Sequence, residues 1–311
     1  MTLGADPTLY PTPLPPSARR VTLSTARGPL AALDVAPDGA GEVRGTAVLV
    51  PGFSGSKEDF VPMLGALAAQ GYRVVAYDQR GQFESPGPTR PQDYGTARFA
   101  ADLTEVIAYA GPGPVHLLGH SFGGLVVQRA VAAAPDSVRS LTLLCTGPGS
   151  TDFAGGRMVR PMMTLLRLGG GRALWAAMKR PLAKAGVAAE QQAWLRHRLR
   201  YTHKANLIGI IRALLAEPSR VRELAATDVP FLVMHGENDE PWAPAAQSRM
   251  ARDLGARYVV IADAGHTPNE EKPEETAKAL TDFWTTVDER GGTGQVPAAT
   301  AADDEAVGGK G

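Results

Sequence analysis

Apolar positions along this chain fall into short continuous runs separated by longer amphipathic stretches. Thr46–Val50, Tyr72–Tyr77, Val115–Leu118, Val138–Leu144, Phe231–Met234 and Tyr258–Ile261 are apolar almost without interruption. Thr46–Val50 marks a strand buried on both faces of a sheet, and the other runs read as further strands. Between them, Asp59–Gln70, Thr96–Tyr109 and Phe122–Ala134 carry helical periodicity. Ser56-Lys-Glu-Asp59 forms a capping-box signature ahead of the first helix, and Gly71 follows its end. Val21–Ser24 and Leu30–Val35 flank Gly28-Pro29 and predict a hairpin. Strands alternating with helices predict an α/β fold, a mostly parallel doubly wound sheet with flanking helices.

The alternation stops at about Ser150 and resumes at about Ala226. Only helical patterns lie between, over a span too long for a loop. The organisation expected is an extended Pro-rich leader over 1–19, a core made of 20–150 and 226–288, a helical cap or lid insertion over 151–225, and a disordered Gly-, Ala- and acid-rich tail over 289–311.

Composition adds little beyond exclusions. The chain has 311 residues, 44% of them apolar, and a formal net charge of zero. That balance gives no nucleic-acid signal. No run approaches a membrane span, and the first residues lack a signal-peptide pattern, so a cytoplasmic protein is expected. The single Cys145 ends an apolar run and reads as a small core residue.

The chemistry concentrates at Gly119-His120-Ser121-Phe122-Gly123, a G-x-S-x-G sequence between a strand and a helix. A serine on so tight a turn needs glycine two positions to either side, and its hydroxyl is pushed clear of the sheet edge. The helix that starts there points its free N–H groups at developing negative charge. Ser121 is the expected nucleophile. His120 is expected to pack rather than to act as base.

A serine needs a base, and the base needs a carboxylate to fix its tautomer. Of the six histidines, His266 follows the last strand on a short glycine-containing loop and is the expected base. His116 lies inside a strand, His197 and His203 lie in the insertion, and His235 ends a strand in a structural role. Asp239, just past another strand end, is the expected acid. Glu237, Asp263 and the more distant Asp152 are its rivals.

The segment Val115-His-Leu-Leu-Gly-His-Ser-Phe-Gly-Gly124 resembles the nucleophile elbow of the α/β-hydrolase superfamily. Further pieces resemble it in the same order. They are Pro51-Gly52-Phe53 for the oxyanion segment, Asp78-Gln79-Arg80-Gly81 for the D-x-R-G turn, His235–Asp239 for the acid and Ala264-Gly265-His266 for the histidine loop. The resemblance implies an oxyanion hole made by the backbone N–H groups of Phe53 and Phe122, and a Phe53 side chain lining the acyl pocket. Pro51 departs from the family's usual His, and Phe83 stands where Gly is common.

Residues 157–222 hold fourteen Lys or Arg and two acids, Glu190 and Glu217. The plain expectation is a lid with a solvated basic face. The sharper one is steering of anionic substrates, or contact with anionic surfaces, through the basic cap. The function expected is hydrolysis of a carboxylic ester of a small or lipid-like molecule, with no cofactor and no metal. Thioesterase, carbon–carbon bond hydrolase and cofactor-free peroxidase chemistry use the same triad, and a non-catalytic ligand-binding role stands as the alternative from another class.

Overall fold

The computed structural model describes residues 9–37, 43–150, 153, 156–184 and 186–291. The acid rival Asp152 and the tail after Gly291 lie outside the described residues. Eight strands form one sheet in the order β1-β2-β4-β3-β5-β6-β7-β8. They are β1 (Ala18–Leu23), β2 (Leu30–Val35), β3 (Gly45–Val50), β4 (Tyr72–Tyr77), β5 (Val115–His120), β6 (Val138–Leu144), β7 (Phe231–Gly236) and β8 (Arg257–Ile261). From β4 to β8 every neighbouring pair is parallel. The hairpin β1–β2 adds to the β4 edge antiparallel. Every residue of β5 and β7 is buried, which is why those runs carry no polar alternation.

Two apolar layers cover the sheet. On one face lie α1 (Val61–Ala69) and α10 (Pro273–Glu289), with Met63, Leu64, Leu280, Phe283 and Trp284 in the core. On the other lie α2 (Thr96–Ala110), α3 (Phe122–Ala133) and α8 (Pro244–Leu254). The first predicted helix begins differently than expected. Lys57–Phe60 is a 3₁₀ turn, and α1 proper starts at Val61. The Asp59 carboxylate does reach back to the N–H of Ser56, at 3.1 Å.

Among the described residues, the stretch between β6 and β7 holds four helices: α4 (Gly156–Lys184), α5 (Ala189–Tyr201), α6 (Lys204–Leu214) and α7 (Val221–Ala225). α4 is broken at Gly170, whose φ of 58° lies in the left-handed region that glycine enters at no steric cost. Leu166, Leu174, Leu199, Leu207 and Ile211 give the insertion a small core of its own. Its seam with the sheet is aromatic. Trp194 of α5 meets Tyr10 and Phe83 edge to face, at centroid distances of 5.3 and 5.0 Å. Tyr10, in the stretch expected to be an extended leader, thus packs beneath α5. Phe83 sits at φ 32° and is fully buried. That conformation explains why glycine is common there, and here the strain is offset by packing on Trp194.

The turn after β4 is held by charge. Arg80 donates to both carboxylate oxygens of Asp102 on α2, each at 2.9 Å, and both side chains are buried. Arg27 donates to the same carboxylate at 3.0 Å. Removing the acid from such a pair leaves uncompensated buried charge. Asp102→Ala is expected to lower stability by about 3–5 kcal/mol in urea unfolding. A loss under about 1 kcal/mol would show that the pair contributes no more than an exposed one.

Candidate active site

β5 ends at His120, the chain reverses at Ser121, and α3 begins at Phe122. Ser121 has φ 52° and ψ −118°, a conformation a side-chain-bearing residue rarely adopts. The surroundings enforce it. The Ser121 N–H donates to the Leu144 carbonyl and the Gly124 N–H to the Ser121 carbonyl, both at 2.9 Å. A Cβ on Gly119 would stand 2.5 Å from the Gly123 carbonyl oxygen, and one on Gly123 would run into that of Val50. Both glycines are required by contact, as the sequence predicts.

His266 follows β8 and reaches Ser121 across the sheet edge. Its Nδ1 lies 2.7 Å from Asp239 Oδ1 and its Nε2 lies 2.9 Å from Ser121 Oγ. A carboxylate only accepts, so Nδ1 carries the proton and Nε2 presents its lone pair to the hydroxyl. Asp239 stands just beyond β7 and is buried, and Gln247 of α8 donates to its second oxygen at 2.7 Å. The three residues expected from the sequence thus form one hydrogen-bonded chain. Glu237 is turned away, accepting the Asp263 N–H at 3.2 Å.

Several supporting residues were not singled out by sequence reasoning. α9 (Pro268–Glu271) supplies Glu271, which accepts the N–H of Gly265 at 2.7 Å and that of Thr267 at 2.9 Å. Burial raises the Glu271 carboxyl, but these donors outweigh it and hold the group below its ordinary range. His120 is more than packing, because its Nε2 donates to the His266 carbonyl at 2.8 Å. Burial, with His266 beside it, lowers the His120 pKa to about 4. The turn after β4 supplies two more supports. Gln79 donates to the Pro51 carbonyl at 2.8 Å, and Gln82 to the Gly52 carbonyl at 2.7 Å. The D-x-R-G resemblance marked that turn, but no motif announced its glutamines.

The segment after β3 passes close to the serine, since a Cβ on Gly52 would stand 3.0 Å from Ser121 Cβ. Among the described residues, the N–H groups of Phe53 and Phe122 donate to no protein acceptor. Ser121, His266 and Phe53 line a cavity of about 810 Å³, whose other wall is α4 and α5. A second cleft of about 600 Å³ is lined by Arg27, Arg80, Arg90 and Arg98. Asp93 and Asp102 engage those arginines.

Among the described residues, the one group spaced like metal ligands is His120, Cys145 and His266. It fits an ion poorly. Both ring nitrogens of His266 are engaged, and burial pushes the Cys145 thiol well above its ordinary value. Cys145 itself is the buried core residue expected. Among the described residues no helix is long and apolar enough to cross a membrane.

A doubly wound sheet with Ser121 at a strand-to-helix turn, and Asp239 and His266 beyond later strand ends, defines the class as α/β. The model of the alpha/beta hydrolase family matches residues 47–279, and the chain belongs to that family. The "Putative 2-succinyl-6-hydroxy-2,4-cyclohexadiene-1-carboxylate synthase" of Bacillus subtilis (strain 168) is 27% identical, over 77% of this chain and 90% of its own. The "Putative carbamate hydrolase RutD" of Rhizobium rhizogenes is 29% identical, over 74% and 88%. A thermophilic esterase from Thermogutta terrifontis superposes with a TM-score of 0.72 at 23% identity, covering 87% of this chain and 99% of that one. That structural likeness speaks to the fold.

A histidine whose pKa is depressed by folding contributes stability that is present above its unfolded value, near 6.5, and lost as pH falls through its folded value, about 4. His120→Gln removes that contribution. Between pH 7 and pH 4 the parent is expected to lose up to about 3 kcal/mol more stability than the variant. Parallel curves in denaturant titrations across that range would show that His120 is not held neutral.

Proposed function

We propose that this protein is a serine hydrolase that cleaves a carboxylic ester of a small or lipid-like substrate through an acyl-enzyme intermediate. The observation that carries the reading is the His266 imidazole, bonded to Asp239 on one side and to the Ser121 hydroxyl on the other. In this reading Ser121 Oγ attacks the acyl carbon while His266 Nε2 takes its proton. Asp239 stabilises the imidazolium, Gln247 holds the carboxylate and His120 holds the backbone carbonyl of His266. His266 then returns the proton to the leaving alcohol. A water molecule, deprotonated by the same nitrogen, releases the acid and frees the serine.

The oxyanion is received by the N–H groups of Phe53 and Phe122. Peptide planarity makes the Gly52 carbonyl and the Phe53 N–H point in opposite directions. Gln82, by holding that carbonyl, fixes where the N–H aims. The name of one relative, the "Putative carbamate hydrolase RutD", agrees with attack on an acyl carbon and leaves the leaving group open. The 810 Å³ cavity has room for a drug-sized acyl ester.

The test is hydrolysis of p-nitrophenyl esters from acetate to long chains. Ser121→Ala is expected to lose roughly 10⁴-fold or more in kcat. Equal activity in parent and variant would name another nucleophile. Gln82→Leu is expected to lower kcat by about 10- to 100-fold with little change in KM, less than the 100- to 1000-fold of losing an oxyanion donor outright. An unchanged kcat would remove Gln82 from the account.

A further inference from the structure

The cavity over Ser121 has two kinds of wall. Phe53, Met162, Met178, Leu182 and Leu195 make part of it apolar. Another part is built from Asp59, Gln191, Arg198 and Glu270. These four meet only because the insertion folds back on the core. Asp59 comes from the 3₁₀ turn before α1, Glu270 from α9, and Gln191 and Arg198 from α5. Arg198 Nη1 donates to Asp59 Oδ1, and Gln191 Nε2 donates to Glu270 Oε2 at 3.1 Å. Arg198 is 9% exposed and Asp59 6%. Arg198 Nε is buried with no hydrogen-bond partner among the described residues.

The charges on this wall do not balance unless a proton is held there. Asp59, Glu270 and Glu271 stand against one arginine. Glu271 is already occupied by the backbone of the histidine loop. Arg198 is taken by Asp59. Burial and the neighbouring Asp59 raise the Glu270 pKa to about 8, and burial raises that of Asp59, so the two carboxyls hold one proton between them at neutral pH. Asp59, Arg198 and Glu270 together are then uncharged, with donors and acceptors side by side.

Such a wall sorts ligands by chemistry. A carboxylate would meet Asp59 and Glu271, with Nη1 of the guanidinium already spent on Asp59. An ammonium group would find the shared proton on Asp59 and Glu270 in its way, and the Glu271 oxygens already accepting from Gly265 and Thr267. A purely apolar arm would leave polar atoms desolvated without a partner. A hydroxyl or primary amide both donates and accepts, and costs no charge. The basic outer face of the insertion therefore says nothing about the charge this wall takes.

We propose that Asp59, Gln191, Arg198 and Glu270 form a specificity subsite that selects substrates carrying a neutral hydrogen-bonding group, a hydroxyl or a primary amide, on the arm remote from the scissile carbonyl. The word substrate rests on the serine hydrolase reading, whereas the binding preference does not.

The test is calorimetric binding to Ser121→Ala, so that turnover plays no part. The probes are straight-chain N,N-dimethyl amides of four to eight carbons, whose amide offers no donor, bare or ending in hydroxyl, carboxylate or amine. At the chain length that spans the cavity, the ω-hydroxy amide is expected to bind about 10-fold tighter than the bare amide, the scale of one or two well-made hydrogen bonds. The ω-carboxylate is expected to bind no better than the bare amide. Adding Glu270→Gln, which keeps a neutral donor and acceptor, retains the order. Adding Glu270→Leu, or Gln191→Leu should that variant not fold, narrows the hydroxyl preference to about twofold, with bare-amide affinity kept. Tightest binding by the carboxylate or the amine overturns the proposal. So does equal binding of all four probes at every length, or a hydroxyl preference that survives the leucine variant. Turnover of p-nitrophenyl butyrate by the parent is scored separately. Its absence counts against the hydrolase reading and leaves the binding order to be judged alone.

Discussion

One backbone conformation organises this molecule. Ser121 is held at φ 52° between a fully buried strand and the first turn of a helix. That geometry costs of order 1–3 kcal/mol and persists only where its surroundings over-determine it. They do so through the Leu144 carbonyl on one side and two glycines, with no room for a side chain, on the other. With the serine fixed, the rest of the site has a set place. The histidine loop must arrive at the same sheet edge, and the β3 loop must pass within contact distance. Both do, and each is held by side chains from elsewhere in the fold.

Those supports are what a reading of motifs misses. The sheet was legible because buried parallel strands are written as nearly continuous apolar runs, and β3, β5 and β7 are such runs. Ser121, Asp239 and His266 were legible because each sits at a strand end in an order the fold dictates. Gln82, Gln247 and Glu271 were not. A glutamine carries no periodicity and no motif, and its role exists only once distant segments meet. Gln247 and Asp239 are eight positions apart, and Gln82 and Gly52 thirty. Phe83 stood out as a departure from glycine, yet its partners lie on α5, more than a hundred residues on.

The insertion shows the same limit from the other side. Its helices could be expected from their pattern, and its net positive charge could be counted. Where that charge faces could not. The cations on its outer surface are unrelated to Arg198, which turns inward to meet Asp59. The character of the cavity is set at this seam, by α5 closing against the 3₁₀ turn and α9.

The central claim is that Ser121 is a nucleophile activated by His266. Covalent labelling with a fluorophosphonate, read by intact mass and peptide mapping, tests it without knowledge of the substrate. The account predicts one adduct per chain, on the peptide carrying Ser121, absent in Ser121→Ala and formed far more slowly in a folded His266→Asn variant. No adduct on a folded parent chain, an adduct on another residue, or labelling of undiminished rate in the histidine variant would contradict it.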